Sequence, residues 1–150
     1  MKKGQYISRV HLKMVREKDN VIVYGENMTN PAVVVEMMSP IFEDADREIM
    51  AVISLSASME PVAFEVVAVG GVTSCMVDVK NLFKHALLAN ASNIICIHNH
   101  PSQNIKPSSD DEQITQKIKD AGKLLDIELQ DHIIYGNRNS YYSFREHNWN

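Results

Sequence analysis

His98-Asn99-His100-Pro101-Ser102-Gln103-Asn104-Ile105-Lys106-Pro107-Ser108-Ser109-Asp110-Asp111 is the stretch on which the reading of this chain turns. Two histidines at period two, a loop stiffened by two prolines, and a serine with an acid three residues beyond it are the parts of a mononuclear zinc site with one open coordination position. If the apolar run Asn93-Ile94-Ile95-Cys96-Ile97-His98 is a strand that continues through His100, both imidazoles point to one face, with Cα atoms roughly 6.5 Å apart. A third protein ligand must then come from elsewhere, and Asp111 is the best candidate, because the first turn of a following helix can return its carboxylate to the histidines. Cys96 competes for that place, since it precedes His98 by two and shares its face, although a buried apolar role is the usual one for such a cysteine. Ser108-x-x-Asp111 is equally the pattern of a helix capping box. His132, next to Asp131, reads as a histidine paired within its own strand.

Outward from this stretch, the chain reads as alternating elements. Toward the N-terminus, Asp78 can cap a helix whose apolar positions Val79, Leu82, Phe83, Ala86 and Leu87 follow helical spacing. Before it lie two strands, Glu48 to Leu55, buried on both sides, and Val62 to Val69, its neighbour, ended by Gly70-Gly71. Asn30-Pro31 supplies an N-cap and first-turn proline for a short helix over Ala32 to Met38, with Pro40 ending it. Val10-His11-Leu12-Lys13-Met14-Val15-Arg16 alternates apolar and charged residues and predicts an outer strand. Toward the C-terminus, Ser108 opens an amphipathic helix carrying Ile114, Ile118, Ala121 and Leu125. Ile127 to Tyr135 and Tyr141 to Phe144 then form two strands around Gly136-Asn137-Arg138-Asn139. The order predicts one three-layer α/β domain, a mixed β-sheet flanked by helices.

Composition limits what else the chain can be. At 150 residues and 45% apolar content it can bury one good core. A formal charge of -4 and a pI near 5.8, with scattered lysines, do not favour nucleic acid as a partner. Two cysteines, Cys75 and Cys96, are too few for a disulfide framework. No stretch reaches the length of a membrane span, and no apolar segment follows the basic N-terminus, so a cytoplasmic, unprocessed protein is expected. Apolar edge strands leave a homodimer open.

The His98-Asn99-His100-Pro101-Ser102 segment, followed by Pro107-Ser108 and Asp111, resembles the His-x-His-Pro-x6-Ser-x-x-Asp signature of the JAB/MPN metalloprotease domain, termed JAMM when the zinc ligands are present. It is most similar to the RadC-like branch, through Asn99, Asp131-His132-Ile133-Ile134-Tyr135-Gly136, Tyr142-Ser143-Phe144-Arg145-Glu146, and Asp46-Arg47-Glu48 ahead of a hydrophobic strand. The likeness runs from about residue 10 to residue 146. It implies a cytidine-deaminase-like, JAB/MPN fold in a single domain over 1–150, without the helix-hairpin-helix region of longer relatives.

The resemblance also implies roles. His98, His100 and Asp111 match the ligands of one zinc ion, and Ser108 matches the serine that stabilises the reacting carbonyl oxygen. Glu48 matches the glutamate that activates the metal's water, with Glu65 its rival inside the next strand. The implied activity is zinc-dependent hydrolysis of a peptide or isopeptide bond in a peptide or protein substrate. The alternative is a non-catalytic or DNA-repair-associated module acting through protein or DNA contacts. Gln103 departs from the glycine usual after His-Pro-Ser in RadC-like sequences, which implies either another loop path or the avoidance of a positive φ.

Overall fold

The computed structural model describes residues 4–70, 77–147 and 149. Among the described residues five strands form one sheet in the order β2-β1-β3-β4-β5, with β1 Ile49–Leu55, β2 Pro61–Val69, β3 Asn93–Asn99, β4 Glu128–Asn137 and β5 Ser140–Ser143. Only β3 and β4 pair in parallel, joined by the crossover helix α3 Ser109–Leu125; the other pairs are antiparallel. The sheet is therefore mixed.

Side-chain alternation along the central strands divides the core in two. Ala51, Ile53 and Leu55 of β1, Ile95 and Ile97 of β3, and Ile133 and Tyr135 of β4 face helix α1, Pro31–Phe42. Met50 and Val52 of β1 with Ile94 and Cys96 of β3 face helix α2, Val79–Leu88, and α3. Near-continuous apolar runs in β1 and β3 are what a strand covered on both faces requires. The three-layer α/β architecture is the one expected from the order of elements.

The helix starts follow the sequence signals. Asn30 Oδ1 accepts from Ala32 N at 2.9 Å ahead of Pro31, and Asp78 Oδ1 accepts from Lys80 N and Asn81 N. At the far end of α3, Asp126 takes a left-handed conformation and Ile127 N bonds Gly122 O at 2.9 Å. A Cβ on Gly122 would lie 2.3 Å from Ile127 O, so only glycine admits this reversal into β4.

Two expectations are overturned. Val10 to Arg16 forms no strand, and Val10, Leu12 and Val15 are exposed. Alternation favours an extended chain but supplies no partner for its N–H and C=O groups; Arg16 Nη1 ties the segment to the sheet by donating to Val62 O. Pro40 does not end α1, which continues to Phe42. Its ring faces solvent, and the cost of a proline inside a helix, about 3 kcal/mol, is of the same order as the gain from burying Phe42, about 2 to 3 kcal/mol. Phe42 stacks on Tyr135 with ring centroids 5.2 Å apart. Gly71 and Cys75 lie outside the described residues.

Candidate metal centre

Strand β3 carries His98 to the point where the chain leaves the sheet on the α3 side. His98 is fully buried, and the strand ends at Asn99, one residue short of the expected continuation. His100 nonetheless turns back toward it: the two Nε2 atoms lie 3.1 Å apart. Asp111, in the first turn of α3, completes the group, with Oδ1 3.2 Å from His98 Nε2 and Oδ2 3.0 Å from His100 Nε2. Glu48, which precedes β1, joins them, so that one ligand atom from each of Glu48, His98, His100 and Asp111 lies within 4.8 Å of the others.

Backbone and side-chain contacts explain how four residues so distant in sequence converge. Met50 lies opposite His98 in the β1–β3 register, which brings the residue just before β1 alongside the end of β3. Asn99 fixes that approach: its Oδ1 accepts from Ile49 N at 2.8 Å and its Nδ2 donates to Arg47 O at 3.1 Å, clamping the segment on both sides of Glu48. In the sequence Asn99 is only a family marker between the histidines; its role as a clamp needs the register of two strands.

The loop after His100 is held as firmly. Gln103 N bonds His100 O at 2.9 Å, and Gln103 takes φ 62, so the glutamine adopts the left-handed conformation that glycine would favour rather than avoiding it. Asn104 O accepts from His100 Nδ1 at 2.6 Å. Further on, the side chain of Ile105 packs so tightly over Gly136 that a Cβ there would lie 2.7 Å from Ile105 Cγ2, which docks the loop on the end of β4. Ser108 and Asp111 then form a reciprocal capping box at the start of α3. The capping pattern and the convergence on the histidines are thus satisfied by the same two residues.

The chemistry of the donor set fits a divalent cation. His100 Nδ1 faces a carbonyl, which only accepts, so its proton sits there and its Nε2 bears a lone pair. His98 Nδ1 is occupied by His132 Nε2 at 2.7 Å, leaving Nε2 as the atom aimed into the cluster. Tetrahedral ligands about 2.0 to 2.1 Å from zinc stand roughly 3.3 Å from one another, close to the spacing seen here. Glu48 is 9% exposed, and burial pushes its carboxyl up.

Other residues singled out in the sequence fall elsewhere. Glu65 is exposed on edge strand β2, its carboxylate turned to Val66 N, and is not part of the cluster. Cys96 is fully buried among apolar side chains, where desolvation pushes its thiol up to about 12, and it too lies outside the cluster. Its side chain is on the face of His98 but one pleat deeper. His132 is not paired within its own strand: it bonds His98 on β3 and Thr115 on α3, while Asp131 turns to Ser143 Oγ and Arg145 N. Adjacent residues of a strand project to opposite faces, which separates the pair.

A cleft of about 540 Å³ opens beside His100, lined by Glu43, Asn99, Gln103, Asn137 and Arg138 among others. Among the described residues no helix is long and apolar enough to cross a membrane. A family model for the RadC-like JAB domain matches residues 28–149. The chain belongs to the RadC-like JAB domain family. A UPF0758 protein of Chlorobaculum tepidum is 40% identical over 114 residues, covering 76% of this chain and 51% of that protein. One from Psychrobacter cryohalolentis is 35% identical over 131 residues, 87% of this chain and 57% of that protein. This RadC-like chain thus spans about half the length of the curated relatives it matches.

Proposed function

We propose that this RadC-like domain is a metal-dependent hydrolase, with zinc the preferred ion, that cleaves a peptide or isopeptide bond in a peptide or protein substrate. The observation that carries the reading is the convergence of His98 Nε2, His100 Nε2 and an Asp111 carboxylate at 3.0 to 3.2 Å, with the Nδ1 of each histidine engaged elsewhere. Lone pairs this close repel unless a cation lies among them. His98, His100 and Asp111 would hold the ion, two imidazoles and one carboxylate being a set suited to catalytic zinc with one position left open. A zinc ion held there would lower the pKa of a bound water to about 7 and would polarise a carbonyl.

The residues around it have distinct tasks. Glu48, partly desolvated and with its carboxyl raised by burial, takes a proton from water and returns it to the leaving amine. Ser108 is exposed, and its Oγ accepts from Asp111 N, which leaves its own proton free for the oxygen of a substrate carbonyl. The cleft beside His100 offers polar side chains such as Asn99, Asn137 and Arg138 for the flanking residues of a substrate.

The test is metal analysis of the purified protein, followed by digestion of a peptide library with and without chelator. Stoichiometric zinc, lost in Asp111→Ala, and chelator-sensitive cleavage are expected. A folded protein that takes up no divalent ion, or one whose measurable behaviour is salt-sensitive duplex binding without cleavage, would overturn the proposal.

A further inference from the structure

His132 and Thr115 are buried beneath the cluster. They form an unbroken line of hydrogen bonds from the backbone of α3 to His98. Thr115 Oγ1 lies 2.6 Å from Asp111 O, and two oxygens that close must share a proton. The carbonyl has none, so the single hydroxyl proton of Thr115 points at it. The same Oγ1 is 2.5 Å from His132 Nδ1 and, its proton already used, can only accept there. The proton between them therefore belongs to His132 Nδ1.

From that point the direction of every bond is determined. A neutral imidazole carries one N–H, so His132 Nε2 is bare and accepts from His98 Nδ1 at 2.7 Å. His98 in turn is bare at Nε2, the atom 3.1 Å from His100 Nε2 and 3.2 Å from Asp111 Oδ1. Had the hydroxyl donated to His132 instead, the line would run backwards, leaving the proton on His98 Nε2 and turning a lone-pair donor into an N–H that satisfies Asp111 by itself. His132 is fully buried, stacked on Phe144 at a ring-centroid distance of 5.1 Å, and its Nε2, facing the Nδ1–H of His98, has no acceptor there for a second proton.

We propose that Thr115 and His132 are positioning residues that select the tautomer of His98, holding its proton on Nδ1 so that Nε2 presents a lone pair to a divalent cation. The inference rests on the reading of the cluster as a metal centre. It makes Asp111 contribute twice, through its carboxylate and through the carbonyl that orients Thr115, so that the first turn of α3 sets both one ligand and the protonation pattern of another. Partners of this kind typically change metal affinity 10- to 100-fold.

The experiment combines long-range 1H–15N correlation of the imidazoles in the metal-free protein above neutral pH with zinc affinity measured by chelator competition, for the native chain, Thr115→Val, Thr115→Ser and His132→Phe. The native chain should show His98 and His132 both protonated at Nδ1. Thr115→Val, which preserves shape, should mix the His98 tautomers and weaken zinc binding 10- to 100-fold, His132→Phe should do at least as much, and Thr115→Ser should restore both readouts. Native His98 protonated at Nε2, or Thr115→Val with unchanged tautomer and affinity, overturns the inference. A native chain that binds no zinc overturns the metal reading instead, and the tautomers of the metal-free protein still decide the direction of the bonds.

Discussion

Ser108 and Asp111 cap one another: Ser108 N donates to Asp111 Oδ2 at 2.8 Å, and Asp111 N donates to Ser108 Oγ at 3.1 Å. The oxygen of Asp111 that closes this box is also the one 3.0 Å from His100 Nε2. Helix initiation and the geometry of the cluster therefore depend on one carboxylate, and the start of α3 cannot shift without moving it.

Ser108→Ala should consequently show two losses that can be separated. Removing the cap acceptor costs about 1 kcal/mol of stability, read as a lower urea midpoint. Removing the donor to the substrate oxygen costs about 10² to 10³ in turnover. Ser108→Thr should recover both. Turnover that stays at the native level in the alanine variant would remove Ser108 from the reaction.

Glu48→Gln keeps shape and hydrogen bonding but cannot take a proton. Zinc content should stay at the native level while cleavage falls by about 10² to 10⁴. Asn99→Ala, which releases the clamp on Arg47 and Ile49, should lower cleavage through the same residue while leaving the histidines in place. Loss of zinc in the glutamine variant would instead mark Glu48 as a ligand.

Gln103 pays for its left-handed backbone, and Gln103→Gly should relieve that strain. The gain is limited to about 0.5 to 1 kcal/mol, because glycine also raises the entropy of the unfolded chain. Thermal unfolding should move upward with zinc affinity unchanged. Gln103→Val, β-branched at a positive φ, should move it downward by more.

Asp131 supplies a pH dependence apart from the cluster. Burial raises its carboxyl above the ordinary value, only partly offset by the Ser143 hydroxyl and the Arg145 amide. A carboxyl whose native pKa is raised binds its proton more tightly folded than unfolded, so it contributes stability below the unfolded value of about 3.9 that is lost as pH rises to the native one. Urea midpoints across pH 3 to 8 should show that decline in the native chain and a flatter profile in Asp131→Asn. Parallel profiles would show that the buried carboxyl does not titrate differently on folding.

Much of the fold was legible because its signals are local. Asn30-Pro31, Asp78 and Ser108 announce helix starts through their own side-chain chemistry, and the apolar runs of β1 and β3 announce strands covered on both faces. Local signals fail where a distant group decides. Val10 to Arg16 has the alternation of a strand but no strand to pair with, and Pro40 sits in a helix held together beyond it by Phe42 against Tyr135. His132 is adjacent to Asp131 in sequence, but strand pleat sends the two to opposite faces.

The sequence by itself determined the chemical inventory of the site: two histidines at a strand end, a serine and an acid at a helix start, each placed by short-range rules that act within a few residues. Tertiary structure decided which of the remaining carboxylates and histidines join them. Glu48 enters through the β1–β3 register and the Asn99 clamp, Glu65 is left on an edge strand, and His132 reaches His98 across a parallel strand pair. Those outcomes depend on hydrogen-bond register and helix docking between segments far apart in the chain, and no local propensity encodes them.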